Sequence, residues 1–241
     1  MVLGVIPARY GSTRFPGKAL APLRGRTLIQ RVWERAKGAR RLDRLVVATD
    51  DERIRDAVRA FGGETVMTGS DLRSGTDRVW QAAKGTPAEI VVNIQGDEPL
   101  LTPPMIDGLV DGLRQEAKAQ MATLRFKMTG AEGYEDKNVV KVVTDENGWA
   151  LYFSRSPIPA HRSKDSRSIV WYKHIGIYAY RRSLLEEFVS WPPSALELAE
   201  NLEQLRALER GVRIQVLDSP QNTIGVDTPE DLKRVEALIS A

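Results

Sequence analysis

Three cations stand close together near the start of this 241-residue chain. The stretch Val2 to Lys18 is a short apolar run, Val2 to Ile6, followed by a Pro-, Gly- and Ser-rich loop that carries Arg9, Arg14 and Lys18 and no acid of its own. Glycines let a backbone approach a ligand closely and prolines pre-set turns, so such a loop suits a phosphate chain. One cation about 4 Å from a phosphate is worth roughly 4 kcal/mol at an effective dielectric near 20, against about 0.3 to 1 kcal/mol from a helix end. Side chains would therefore dominate the grip. The loop is neither of two familiar phosphate binders. Five residues, where a P-loop has four, separate Gly11 from Gly17-Lys18, and Ala19 stands where the P-loop has Ser or Thr. No GxGxxG follows the strand, so the dinucleotide fingerprint is absent.

Two separated acids suggest a cation. Asp97 lies in Gly96-Asp97-Glu98-Pro99 at the end of an apolar strand, Ile90 to Gln95, where open α/β sheets place ligands. Asp227 precedes Thr228-Pro229, which read as the cap and first position of the last helix, so Asp227 is one residue too early to be the cap and is available to a cation. Magnesium takes one or two carboxylates together with substrate phosphates and waters. The chemistry would be attack on a nucleotide phosphorus, with Arg155 able to hold a second, carboxylate-bearing substrate at two points. Ser74-Gly75-Thr76-Asp77-Arg78 reads by itself as a helix cap.

The elements that must position these groups alternate. Leu28, Ile29, Val32, Trp33 and Ala36 fall at helical spacing up to Gly38, Leu45 to Thr49 is a strand, and Asp50 and Asp51 cap a helix with Ile54, Ala57, Val58 and Phe61 on one face. Such alternation predicts a parallel sheet. A helix follows from Pro103, and Met121 to Phe126 is a strand. Val139 to Thr144 and Trp149 to Phe153 then flank Asn147-Gly148, a hairpin signal, so the second half adds antiparallel strands. Asp165 to Ser168 reads as a polar turn. In Val170 to Tyr180, Tyr172, His174 and Tyr178 share one face, as expected of a site wall. Ser194 and Glu197 form a capping box for what should be the longest helix, ended by Gly211, with Leu198, Leu202, Leu205 and Leu208 as its apolar stripe and Glu203 and Gln204 on a solvated face.

Composition narrows the class. Hydrophobic residues make up 42% and charged residues 28% of the chain, and no stretch has the apolar length of a membrane helix. The apolar start is too short for a signal peptide, so a cytoplasmic location is expected. There are no cysteines, which excludes disulfides and thiol catalysis, and two histidines are few for a histidine-built metal centre. The net charge of +3 comes from basic residues spread along the chain, unlike the clustered patch of a nucleic-acid binder.

Seven segments carry a resemblance: IPARYGSTRFPGK from Ile6, SGTDR from Ser74, NIQGDEP from Asn93, YFSR from Tyr152, HIGIY from His174, LEQLR from Leu202 and GVDTPED from Gly225. In this order they resemble the motifs of the 3-deoxy-manno-octulosonate (Kdo) cytidylyltransferases, over essentially the whole chain. The first motif is shared with other sugar nucleotidyltransferases; the later ones together are specific to the Kdo branch. The family often has Glu at the position of Asp77, and the match is weakest between Ala160 and Val170.

The resemblance implies a single nucleotidyltransferase domain, 1–241, with a Rossmann-like three-layer α/β mixed sheet of the nucleotide-diphospho-sugar transferase type. Residues 1–130 would mainly bind CTP, and 131–241 would bind sugar and form a homodimer. It implies Ala8, Arg9, Arg14, Lys18, Ser74, Gly75, Arg78 and Gln95 around CTP, and Mg2+ on Asp97 and Asp227. Gln95, Arg155, His174, Tyr178, Glu203 and Gln204 would surround the sugar, and Lys18, Arg9, Asp97 and Asp227 would carry catalysis. The alternatives are the same reaction on 8-amino-Kdo or a sialic acid, and a nucleotide-binding regulator without turnover.

Overall fold

The computed structural model describes residues 1–11, 14–161 and 169–239, so the turn expected at Asp165 to Ser168 lies outside the described residues. The chain forms two compact units, Met1–Val110 with Thr223–Ala241, and Asp111–Asn222.

In the first unit β1 (Val2–Ala8) leads through the cationic loop to a single 3-10 turn at Lys18–Leu20 and a two-stranded ribbon, β2 (Pro22–Leu23) and β3 (Arg26–Thr27). Neither the turn nor the ribbon has a periodicity long enough to show in the sequence. Helix α1 (Leu28–Lys37) starts where the spacing predicts, with Thr27 accepting from the Gln30 N–H. Then follow β4 (Arg44–Thr49), α2 (Glu52–Ala60), β5 (Glu64–Met67), α3 (Gly75–Ala83), β6 (Ile90–Asn93) and α4 (Pro103–Gln115), within which the chain passes into the second unit. The first unit's strands run in the order β6-β1-β4-β5, all parallel, with Val5 opposite both Val46 and Asn93. Val2, Leu3, Val5 and Ile6 of β1 and Val91 and Val92 of β6 are buried, as apolar strands covered on both faces must be. All ligand-facing loops of a parallel sheet leave from one edge, which is why these elements gather the phosphate loop, the Ser74 segment and Asp97.

The second unit contains β7 (Met121–Thr129), β8 (Lys141–Thr144), β9 (Ala150–Ser154), β10 (Val170–Arg181), α5 (Arg182–Ser190), α6 (Ala195–Glu200), α7 (Gln204–Glu209) and β11 (Ile214–Asp218). Strand β7 pairs in parallel with β11 and antiparallel with β10, and β8 pairs antiparallel with β9 and β10. The Asn147-Gly148 hairpin forms as expected, with Gly148 at φ 80°. The chain then returns to the first unit, where Thr228 caps α8 (Pro229–Leu238) in a capping box with Asp231. The strand pairs are parallel in the first unit and both parallel and antiparallel in the second, an open mixed α/β arrangement that is mainly parallel.

The long helix expected from Ser194 to Gly211 is corrected. Its capping box forms, but the helix stops at Asn201, which adopts φ 53°, and restarts at Gln204. The break turns the following residues to a new face. Leu202 and Leu205 are buried as expected, but Leu198 is 71% exposed and Gln204, expected on a solvated face, is 4% exposed. Burial of Leu205 and a buried ion pair between Arg206 and Glu197 outweigh continued helical periodicity here.

Candidate functional site

In the first unit the phosphate loop folds back on itself, the Gly17 N–H donating to the Tyr10 carbonyl at 2.9 Å. Gly17 has φ 71°, and a Cβ there would meet the Tyr10 hydroxyl at 3.1 Å, so both conformation and space favour glycine. This fold-back sets Lys18 at the start of its short turn. The Lys18 Nζ donates to Asp97 Oδ2 at 2.7 Å and to Asp227 Oδ1 at 3.2 Å, and Arg14 reaches Asp227 Oδ2 at 3.0 Å.

The two acids, distant in sequence, are joined through the main chain, since the Val226 N–H donates to the Asp97 carbonyl at 2.8 Å. Gly96 makes the turn possible, for a Cβ there would lie 2.9 Å from the Pro7 carbonyl oxygen of β1. Asp227 stands one position before the α8 cap, as expected, leaving its carboxylate to the cations. Burial by itself would lower the Lys18 pKa, but Asp97 and then Asp227 outweigh it and raise the pKa above the ordinary lysine value.

Two carboxylates within hydrogen-bond reach of one cationic nitrogen can share one metal ion. Among the described residues no third His, Cys, Asp or Glu completes a metal cluster around them. That donor set fits an ion that draws its remaining ligands from phosphate and water, as magnesium does.

The other nucleotide candidates fall nearby in the same unit. Ala8 ends β1 and is buried, and Arg9 follows it, exposed. Ser74 caps α3 in a capping box with Asp77, and Gly75 begins that helix beside Pro7. Arg78 turns inward instead. It is 4% exposed, pairs with Asp50 at 2.9 Å, and donates to Thr68 and to the Gly69 carbonyl. Asp50 is thus a partner of Arg78, and Asp51 alone caps α2, a distinction that two adjacent aspartates do not reveal in sequence. Gln95 is half-buried, its amide 3.4 Å from Asn93 Oδ1.

The sugar candidates of the second unit gather around β10. Strand β10 has two extra residues between Ile175 and Tyr178 opposite β7, and the rings of His174 and Tyr178 lie with centroids 5.5 Å apart. Thr123 fills the distortion, its hydroxyl bonded to His174 Nε2 at 2.9 Å and to the Ile177 carbonyl at 2.9 Å. Burial, then the nearby Lys173 charge, push the His174 pKa down to about 3, so the ring is neutral near pH 7. Burial, with Tyr180 and Glu203, raises the Tyr178 hydroxyl well above its ordinary value. Glu203 and Gln204 follow the helix break, and Gln204 Nε2 is buried with no hydrogen-bond partner among the described residues. Such buried amides normally find an acceptor, which makes Gln204 a candidate for a ligand hydroxyl.

Arg155 closes the set. Its Nε donates to the Glu200 carbonyl at 2.7 Å, Nη1 to Lys137 at 3.0 Å and Nη2 to Asn201 at 3.3 Å. Two further residues around it, Lys141 and Glu200, were not singled out from the sequence. A lysine in a strand and an acid at a helix end carry no motif, and their partners lie up to 46 residues away.

A family model for cytidylyltransferases matches residues 3–214. A 3-deoxy-manno-octulosonate cytidylyltransferase from Geobacter sulfurreducens is 51% identical, covering 97% of each chain. The chain belongs to this family. A second 3-deoxy-manno-octulosonate cytidylyltransferase, from Syntrophotalea carbinolica, is 50% identical over 98% of this chain and 97% of its own. The solved structure of a CMP:2-keto-3-deoxy-manno-octonic acid synthetase complexed with CTP superposes with a TM-score of 0.92 at 44% identity, covering 98% of this chain and 97% of that one. Membership makes the chain a nucleotidyltransferase of the CMP-Kdo synthetase type and agrees with the resemblance carried by its seven motifs. Among the described residues no helix is long and apolar enough to cross a membrane.

Proposed function

We propose that the chain, acting as one nucleotidyltransferase domain in the cytoplasm, joins CTP and Kdo to give CMP-Kdo and pyrophosphate. The observation that carries this reading is the grouping of Lys18 and Arg14 with Asp97 and Asp227 at the phosphate loop, where cations and a two-carboxylate metal position lie together. Relatives about 50% identical over nearly the whole length bear the name of this activity.

In this reading Arg9, Arg14 and Lys18 take the CTP phosphates, with Ala8, Gln95, Ser74 and Gly75 around the nucleoside and Arg78 bracing the Ser74 segment from within. Mg2+ on Asp97 and Asp227 would neutralise the triphosphate and the pyrophosphate that departs. Lys18 then exchanges its two carboxylates for phosphate oxygens. In the second unit Arg155 meets the sugar carboxylate, while Gln204 donates to a hydroxyl and Glu203, His174 and Tyr178 complete that unit's sugar contacts. His174 is neutral and serves through hydrogen bonding and shape. The anomeric hydroxyl oxygen bonds to the α-phosphorus, the bond from that phosphorus to the α–β bridging oxygen breaks, pyrophosphate leaves with the electron pair, and the hydroxyl proton passes to solvent water.

Leu151 at 61% and Leu198 at 71% exposure support a homodimer through the second unit, which light scattering on the purified chain would test. The function is tested by pyrophosphate release from CTP and Mg2+ with Kdo, 8-amino-Kdo, a sialic acid or no sugar. Kdo-dependent release is expected. Release with another acid sugar alone would move the error to the contacts of Glu203 and His174, and no release with any sugar would leave a nucleotide-binding regulator.

A further inference from the structure

Lys141 is a lysine with no solvent exposure at all. Its ammonium has three donors, and all three end on main-chain carbonyls: Asp136 at 2.8 Å, Val139 at 2.7 Å and Arg155 at 2.8 Å. Placing a charge inside a protein costs several kcal/mol or more in desolvation before any partner is counted, so the position calls for a reason. An apolar residue of similar size would fill the space but would take a donor from each of three carbonyls, of which that of Asp136 would keep the Val139 N–H.

Glu200 supplies the complementary half. One carboxylate oxygen accepts from the Ser154 hydroxyl at 2.6 Å and the other from the Arg155 N–H at 2.9 Å. Ser154 in turn accepts from the Ser156 N–H at 2.9 Å. Both main-chain polar groups of Arg155 are therefore held by charged side chains, its N–H by Glu200 and its carbonyl by Lys141. The guanidinium is held as well, by the carbonyls of Glu200, Asn201 and Lys137. Lys137 lies in the turn that Lys141 grips on both sides, through Asp136 and Val139.

The donors left over can be counted. Of the five guanidinium N–H groups, one on Nε, one on Nη1 and one on Nη2 are engaged by these carbonyls. One N–H remains on each terminal nitrogen, and a donor on each suits the two oxygens of a carboxylate. We propose that Lys141 and Glu200 are positioning residues that fix Arg155 from both sides, so that this remaining pair of donors is aimed at the sugar carboxylate before the sugar arrives. The inference rests on the reading that Arg155 meets that carboxylate. Holding a recognition group in advance saves its ordering cost on binding, and small misplacements are expensive.

The experiment measures pyrophosphate release at varied sugar and varied CTP for the wild type, Glu200→Ala, Glu200→Gln, Lys141→Met and Arg155→Ala, with thermal melts alongside. It is repeated with the methyl ester of Kdo, which lacks the negative charge. Glu200→Ala and Lys141→Met are expected to raise KM for Kdo by roughly tenfold or more. KM for CTP should stay near the wild-type value, and the preference for acid over ester should shrink as in Arg155→Ala. Glu200→Gln, which keeps the shape and one good acceptor, should recover part of the loss. Lowered melting temperature with unchanged KM for Kdo would overturn the proposal, as would equal rises in both KM values. If Lys141→Met does not fold, the two Glu200 variants decide by the same criteria. If Arg155→Ala leaves KM for Kdo and the acid preference unchanged, the reading of Arg155 itself fails and takes the proposal with it, and that control separates the two failures.

Discussion

The surroundings of Lys18 and of Arg155 are built in opposite ways. Lys18 is held by carboxylate side chains that are 32% and 49% exposed, at the end of a loop that also carries Arg14. Arg155 is held by carbonyls and flanked by a lysine with no exposure. Side-chain ion pairs near water are individually weak, about 0 to 1 kcal/mol, and can change partners. Contacts to main-chain carbonyls leave less freedom, because each acceptor is fixed by its own segment, and the Arg155 carbonyl is held by a lysine with no exposure of its own. The phosphate side is thus arranged for exchange of cations, and the sugar side for a fixed geometry.

If that contrast is right, removing charge in the second unit should damage folding most. The Arg206 guanidinium, 7% exposed, donates to Glu197 at 2.7 Å and to the Phe188 carbonyl at 3.3 Å. Arg206→Ala leaves Glu197 buried without its partner and should cost about 3 to 5 kcal/mol of stability. Urea unfolding would measure it, and a loss below about 1 kcal/mol would make this pair no different from a surface bridge.

Removing charge in the first unit should instead damage turnover. For Asp97→Ala we expect kcat to fall by roughly a hundred- to a thousandfold while the urea midpoint moves little. A large stability loss with modest kinetic change would reverse the comparison.

The pH response sharpens it further. His174 has a folded pKa of about 3 against 6.5 in the unfolded chain, so the unfolded chain binds its proton first as pH falls. Its contribution relative to a non-titrating residue is intact above about pH 6.5 and is lost progressively down to about pH 3. Measured as the difference in stability between wild type and His174→Asn, the loss should be on the order of 2 kcal/mol by pH 4.5. A difference that stays flat across this window would show that the ring is accessible to protons in the folded chain.

The smallest effect expected is on metal binding without nucleotide. Lys18 competes with any cation for Asp97 and Asp227. Lys18→Gln should therefore bind Mn2+, followed by its paramagnetic signal, roughly tenfold more tightly, although turnover falls. Unchanged affinity would mean that the ammonium and the metal do not share the carboxylates.

Much of the first unit was legible in advance because its signals are local. Asp51, Ser74 and Thr228 cap the helices they were expected to cap, apolar runs became parallel strands, and Asp227 escaped its helix cap as its position implied. The second unit was read less well where periodicity misled. One helix became two at Asn201, and Glu203 and Gln204, expected on a solvated face, moved inward. Nothing in the pattern of leucines distinguishes a continuous helix from one bent around a buried Arg206–Glu197 pair, since the pair is a tertiary contact.

By itself the sequence determined the strand–helix alternation that opens the first unit, the cationic loop with Asp97 and Asp227, and the motifs that mark the family, because each depends on residue type and short spacing. Only the tertiary structure decided that one ammonium joins the two aspartates, that Arg78 faces Asp50, and that Lys141 and Glu200 hold Arg155 from opposite sides. Those facts depend on which distant groups share a low-dielectric interior, where every donor needs an acceptor, and the chain meets that demand only once it has folded.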